Sequence, residues 1–249
     1  MAEGVHFRDA QGPAGLRIFA VGDVHGRLDL LQAMHARIAD DLAANPPDDW
    51  RIIHLGDYGD RGPDTRGVID HLVARRKNEP RIVTLCGNHD QSFLDFVGAG
   101  DRVRLFERFG GFETAASYGV TADFSTPDAV RATKETLVAA MPADHLRFLA
   151  ELPLTAELGD FFFCHAGIRP GVPLDEQQPD DLIWIRDEFL NDARLHPKVI
   201  VHGHTPVEEA EIMPNRAGVD TGAYRSGVLT ALVIEGKEKR LLTVSGRAG

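Results

Sequence analysis

Five short segments carry residue types able to hold metal ions: GDVHG (Gly22–Gly26), GDYGDRG (Gly56–Gly62), GNHD (Gly87–Asp90), HAG (His165–Gly167) and HGHT (His202–Thr205). Asp23 and His25 are two apart, so in an extended or tightly turned segment both can reach one ion. Asp57 offers two carboxylate oxygens and can bridge that ion to a second, which Asn88, His165 and His204 would complete. Two ions about 3.5–4 Å apart clamp phosphorus for in-line displacement, and they bring bound water to a roughly neutral pKa. Mixed imidazole and carboxylate donors suit Mn, Fe or Zn better than Ca or Mg; two Mn ions are the first expectation. Asp23 and Asp57 balance only part of the charge of two divalent cations, and the remainder favours a hydroxide and an anionic phosphate.

His89 follows Asn88 directly, so it lies beside such a cluster without joining it. It is the natural general acid for a leaving alkoxide or phenoxide. Asp60, three residues after Asp57, can accept a hydrogen bond from the His89 imidazole and keep it protonated. Arg61 offers a planar fork of donors for phosphate oxygens, and Arg186 in Ile183–Arg186 is a second phosphate clamp. Each segment alone is also a good turn sequence, because Gly, Asn and Asp tolerate turn dihedrals. Five that together fill two coordination spheres are not explained as turns.

Each segment follows an apolar run that reads as a buried strand, and open α/β sheets carry their sites at that end. Strands at Leu16–Val21, Arg51–Leu55 and Arg81–Cys86 alternate with helices at Leu28–Ala43 and Asp64–Arg76, which implies parallel pairing. From about residue 91 to 152 apolar residues recur at three- and four-residue spacing, interrupted at Gly98–Gly100, Gly110-Gly111 and Thr126-Pro127. This predicts a helical insertion placed over the site, with Pro127 opening a helix behind Thr126. Strand character returns at Leu154–Leu158, Asp160–Cys164, Val199–Val201, Ala217–Val219 and a closing hairpin of Val228–Glu235 and Arg240–Val244. Two sheets packed face to face with helices outside, in one domain spanning 1–249, is the expected architecture.

At 249 residues, with 43% apolar and 26% charged residues, the composition is that of an ordinary globular domain. No apolar run approaches the roughly 20 residues that cross a bilayer, and Met1–Gly15 lacks a signal-peptide pattern, so a cytoplasmic protein without a membrane partner is expected. The net charge of −11 argues against nucleic acid as a partner. The one compact basic run, Arg75–Lys77, reads as a helix C-terminus. Cys86 and Cys164 read as buried free thiols. His6, His35, His71, His145 and His196 read as surface or satisfied histidines, and His54 as packing or outer support of the site. His202, two residues before His204, would share its side of a strand; packing or outer support is favoured over ligation. Trp184 reads as core, and Phe161–Phe163 as a buried strand.

Taken together, GDVHG, GDYGDRG, GNHD, HAG and the late GHT resemble the signature of the calcineurin-like metallophosphoesterases, closest to the small bacterial and phage branch of the phosphoprotein phosphatases. The resemblance runs from Arg17 to about Leu232. It implies a four-layer α/β/β/α sandwich of two mixed sheets with a dinuclear Mn, Fe or Zn centre. By motif match, Asp23, His25 and Asp57 would hold the first metal and Asp57, Asn88, His165 and His204 the second. His89 with Asp60 would be the acid dyad, and Arg61 with Arg186 would bind phosphate. The chain departs from the pattern at Gly59, where protein phosphatases commonly carry Val. GNHD and HAGI are shared with symmetrical dinucleoside tetraphosphatases. Pro206 stands where many phosphodiesterases have a second histidine, which argues for a monoesterase-type centre.

The first functional expectation is therefore a metal-dependent phosphomonoesterase acting on phosphoprotein Ser/Thr, with Tyr as a further substrate. The alternative is a hydrolase of diadenosine tetraphosphate or another small phosphoester. A non-catalytic binding module is disfavoured, because every ligand type and His89 are intact.

Overall fold

All six residues of strand β1 (Leu16–Val21) are buried, as a strand covered on both faces requires. The computed structural model describes residues 4–98 and 103–247, so the Met1–Gly15 start and the Gly98–Gly100 interruption fall partly outside the described residues. After β1 the strands are β2 (Asp49–His54), β3 (Ile82–Thr84), β4 (Thr155–Leu158), β5 (Phe161–Cys164), β6 (Val199–His202), β7 (Glu211–Ile212), β8 (Arg216–Gly218), β9 (Val228–Glu235) and β10 (Glu238–Ser245). The helices are α1 (Leu28–Ala44), α2 (Thr65–Asn78), α3 (Asn88–Val97), α4 (Val103–Phe109), α5 (Gly111–Ser117), α6 (Pro127–Ala140), α7 (Ala143–Ala150), α8 (Pro179–Trp184), α9 (Asp187–Leu190) and α10 (Ala223–Ser226).

Two five-stranded mixed sheets result, ordered β10-β9-β1-β2-β3 and β4-β5-β6-β8-β7. In the first, β1, β2 and β3 are parallel, and β9 returns antiparallel to β1 with Arg17 opposite Glu235. In the second, β5, β6 and β8 are parallel, with β4 and β7 antiparallel at the edges. Successive strand residues point to opposite faces, and the packing follows. Ile18 and Ala20 meet Phe161, Phe163, Val199 and Val201 between the sheets. Phe19 and Val21 face Leu30, Met34 and Ile38 of α1. Phe162, Cys164 and Ile200 face Leu182, Ile183 and Phe189 of α8 and α9. The four layers are thus helix, sheet, sheet, helix.

Local signals placed several ends correctly. Asp64 caps α2 by accepting from Gly67 N–H at 2.8 Å, and Arg75, Arg76 and Lys77 fill its last turn. Thr126 caps α6 ahead of Pro127. Strand β3 is shorter than its apolar run, because Leu85 and Cys86 already leave the ladder towards the site. The two-residue β7 carried no periodic signal. The insertion, α3 to α7, packs its Phe93, Phe96, Phe106, Leu137 and Phe148 in one cluster with Val68, Ile69 and Leu72 of α2, because those apolar faces need a partner. It reaches the site at Phe109, which lines the cavity, and at Thr114, which donates to Asp60. Among the described residues no helix is long and apolar enough to cross a membrane.

Under β2 lies a row of imidazoles that the sequence treats as unrelated. His35 Nδ1 is 2.8 Å from His71 Nε2, and His35 Nε2 is 3.0 Å from His54 Nε2. Burial, then the neighbouring His54, pushes His35 down to about 2, and burial pushes His54 down to about 3. The folded chain therefore refuses protons that the unfolded chain accepts below about pH 6.5, so this stability is complete above that pH and falls as pH drops. In chelated protein, His35→Phe is expected to lose about 2 kcal/mol less unfolding free energy than wild type between pH 7 and pH 5. Urea titrations at the two pH values measure it; equal losses would exclude His35 as the group.

Candidate active site

The site forms where β1, β2, β3, β5 and β6 end, and the chain turns sharply at each of its key residues. Among the described residues the non-glycine positions with left-handed backbone are His25 (φ 45°), Asp57 (55°), Asp60 (66°), Arg61 (63°) and His204 (66°). All five are residues that the sequence singled out. Strain of this kind costs about 1–3 kcal/mol per residue and clusters where function demands a geometry. Gly87 and Gly203 let the chains close in, since a Cβ on Gly87 would collide with Asp57 Oδ1 and one on Gly203 with Asp23 Oδ1.

Asp23, His25, Asp57, Asn88, His89, His165 and His204 are all buried. His25, Asp57, Asn88, His89 and His204 line one cavity, with His165 Nε2 2.9 Å from Asn88 Oδ1 and Asp23 accepting from the His204 backbone N–H at 3.0 Å. His165 Nδ1 donates to Leu55 O at 2.9 Å, so in the neutral ring Nε2 is a bare lone pair. That lone pair faces Asn88 Oδ1 at 2.9 Å and Asp57 Oδ2 at 3.4 Å. His25 Nδ1 donates to Gly59 O at 2.8 Å, leaving its Nε2 3.5 Å from Asp57 Oδ2. Acceptors thus confront acceptors, which is costly in a buried place unless a cation or proton lies between them. Donor atoms of Asp57, His165 and His204 lie within 4.8 Å of one another, as do those of His25, Asp57 and His89. Burial, then His89, pushes His25 down to about 3, and burial, then His165, pushes His204 down to about 2. Neutral imidazole is the form that binds metal. Burial, with Asp220 and Asp57 nearby, pushes Asp23 well above the usual carboxylate range, and its Oδ1 has no partner. The donor set fits two metal ions sharing Asp57.

His89 stands in the first group where the sequence pattern puts Asp23. Its Nδ1 donates to Asp60 Oδ2 at 2.8 Å, and its Nε2 lies 3.9 Å from Asp57 Oδ2. Burial opposes a charge on this ring, but Asp57 and the Asp60 hydrogen bond outweigh it, and the net shift is upward. Arg61 Nη2 lies 3.5 Å from His89 Nε2, and Arg186 Nε donates to His204 Nε2 at 3.0 Å. Both arginines line the cavity. His202 does not share the side of His204. Strand β6 ends at His202, the left-handed His204 leaves it, and His202 turns outward against Phe189 at 5.2 Å between ring centroids. Trp184, expected in the core, is half-buried and lines the cavity, because it ends α8 at the rim. Cys86 and Cys164 are buried free thiols.

Several supporting residues went unread in the sequence. Asp90 accepts from the backbone N–H groups of Asp57 (2.7 Å), Tyr58 (2.9 Å) and Gly87 (2.9 Å), pinning the turn that aims Asp57. Its place three residues into α3 is a capping signal that could have found it. Asp220 lines the cavity with Oδ2 unpartnered. It follows β8 in Val219–Gly222, an Asp just after a strand but in the order Val-Asp-Thr-Gly rather than the Gly-Asp of the first two segments. Tyr224 accepts from Arg61 Nη1 at 3.1 Å. Thr114, from the insertion, donates to Asp60 Oδ1 at 2.6 Å. No sequence signal marks Tyr224 or Thr114.

A two-sheet sandwich with two acceptor-rich groups that could hold metal ions at its strand ends is the arrangement of a metal-dependent phosphoesterase fold. The chain belongs to the calcineurin-like phosphoesterases: a sequence profile of that family matches residues 16–232, and the family uses a dinuclear metal centre. It is 28% identical over 237 residues to the bis(5'-nucleosyl)-tetraphosphatase PrpE [asymmetrical] of Anoxybacillus flavithermus, covering 85% of this chain and 88% of that one. Its fold is similar to a solved structure provisionally described as a diadenosine tetraphosphatase (TM-score 0.65, 21% identity, 96% of this chain and 100% of that one). It is also similar in fold to a protein serine/threonine phosphatase of Saccharomyces cerevisiae (TM-score 0.58, 14% identity, 98% of this chain and 86% of that one).

Thr114→Val strips a donor from the buried Asp60 carboxylate. It is expected to lower unfolding free energy by about 1–3 kcal/mol in urea. Unchanged stability would mean that Asp60 Oδ1 finds another donor.

Proposed function

We propose that this chain, acting as a single domain, is a metal-dependent phosphohydrolase whose substrate is a dinucleoside tetraphosphate. The observation that carries the chemistry is the Asp57 carboxylate facing imidazole lone pairs on two sides, next to a His89–Asp60 pair. Asp23, His25 and Asp57 would hold one ion and Asp57, Asn88, His165 and His204 the other, with Mn as the first choice and Fe or Zn as alternatives. Such ions would polarise the phosphate and supply hydroxide at neutral pH.

The residues around them divide the remaining tasks. Arg61 and Arg186 hold the non-bridging phosphate oxygens from two sides of the cavity. His89 keeps Nδ1 on Asp60, so its proton for the leaving oxygen is carried at Nε2. With cations on Asp57, the Asp60 contact is the one that holds His89 protonated. The nucleotide reading is supported by the name of the relative in Anoxybacillus flavithermus. A phosphoprotein monoester substrate is the second reading, supported by Pro206 on the cavity wall where diester-cleaving family members carry a histidine.

The test strips metal with a chelator, restores Mn, and compares diadenosine tetraphosphate, a phosphopeptide, an aryl phosphate and an aryl diester. Diadenosine tetraphosphate is expected to give the highest kcat/KM. Preference for the phosphopeptide selects the second reading, and no Mn-restored activity on any substrate removes both. His89→Ala is expected to cut kcat about 10²–10⁴-fold while calorimetry still finds both Mn sites; a lost Mn site would make His89 a ligand.

A further inference from the structure

The cavity beside the metal cluster has a volume of about 230 Å³, the space of roughly eight waters at about 30 Å³ each. Two kinds of side chain line it. Arg61 lies over the Tyr224 ring, its guanidinium carbon 4.9 Å from the centroid. Phe109 sits against His89 at 4.9 Å between ring centroids, and Trp184 continues the wall 5.9 Å from Phe109. Both rings are half-buried. They reach the wall from unrelated places, the end of α4 in the insertion and the end of α8.

We infer that Phe109 and Trp184 form a platform for a flat aromatic ring carried by the departing part of the substrate. The argument is one of position. His89 Nδ1 is committed to Asp60, so only Nε2 can serve a leaving oxygen. That oxygen must come within about 2.6–3.2 Å of Nε2, which places its substituent in the cavity that Phe109 and Trp184 line together with His89 and Arg61. A ring placed there has two aromatic side chains within reach, and π systems prefer offset or tilted contact. Stacking is indifferent to the ring's hydrogen-bonding pattern. The shared chemistry therefore admits two sources: a phenol bonded directly to the leaving oxygen, or a purine further along a nucleotide. The inference rests on the proposed role of His89 for placing the leaving group in this cavity.

The experiment separates the platform from the reaction. The chain has two tryptophans, so in Trp50→Phe the remaining fluorescence reports Trp184. With Mn-loaded protein, phenylphosphonate or AMP is expected to quench it, and methylphosphonate or ribose 5-phosphate is not. In turnover, Phe109→Leu and Trp184→Leu are each expected to lower the kcat/KM ratio of a ringed over a ringless substrate at least fivefold, mainly through KM. Phe109→Tyr restores it. The pairs are phenyl phosphate against ethyl phosphate, and diadenosine tetraphosphate against tripolyphosphate. A loss confined to the first pair assigns the ring to a phenol, and one confined to the second assigns it to a purine. Absent turnover with selective quenching keeps the platform and removes the proposed activity. Equal quenching by ringed and ringless probes, or unchanged ratios in both leucine variants of an active enzyme, overturns the platform.

Discussion

The structure depends on a concentration of lone pairs around one carboxylate. Asp57 Oδ2 has His25 Nε2 at 3.5 Å and His165 Nε2 at 3.4 Å, while Asn88 Oδ1 presses on His165 Nε2 at 2.9 Å. None of these groups reaches water freely, since all are buried. Burial amplifies every unfavourable contact among acceptors and every favourable one with a cation. A fold that holds such a set together is built to be completed by positive charge. The outward nitrogens of His25 and His165 are fixed on backbone carbonyls, so their inward lone pairs cannot turn away.

Holding that arrangement strains the chain. His25, Asp57, Asp60, Arg61 and His204 all adopt left-handed backbone, which glycine tolerates and these residues do not favour. The opposing forces are local and particular. Asp90 ties three backbone N–H groups of the Asp57 and Gly87 turns to one carboxylate. Behind them the inter-sheet core of Ile18, Ala20, Phe161, Phe163 and Val201 is apolar and fully buried. Strain at the strand ends is thus borne by rigid sheets rather than by the loops themselves.

The insertion contributes little area to the site but shapes it. Most of its apolar residues pack on α2, where Phe96 stacks on Phe106 at 4.5 Å between centroids. Its reach into the cavity is Phe109 beside His89 and Thr114 beneath Asp60. One residue thereby flanks the His89 ring, and the other orients the carboxylate that holds it. The metal cluster is common to the family, so variation in what the cavity accepts is most economically placed in such an appended segment.

The amino-acid sequence by itself determined the strand ends and the chemical types found there. An apolar run followed by Gly and then Asp, Asn or His is local information, and all the proposed metal ligands lie within a few residues of such runs. Hence the burial of Asp23, His25, Asp57, Asn88, His89, His165 and His204 at neighbouring strand ends was legible, as were the caps at Asp64 and Thr126. Only the tertiary structure decided that Thr114 meets Asp60, that Tyr224 receives Arg61, and that Trp184 faces the cavity. It also set His202 apart from His204 and joined His35, His54 and His71 into one row. These pairings link residues far apart in the chain, or turn on a single backbone dihedral. Periodicity and spacing report which face of an element is apolar, whereas the partner across a gap is chosen by how whole layers pack.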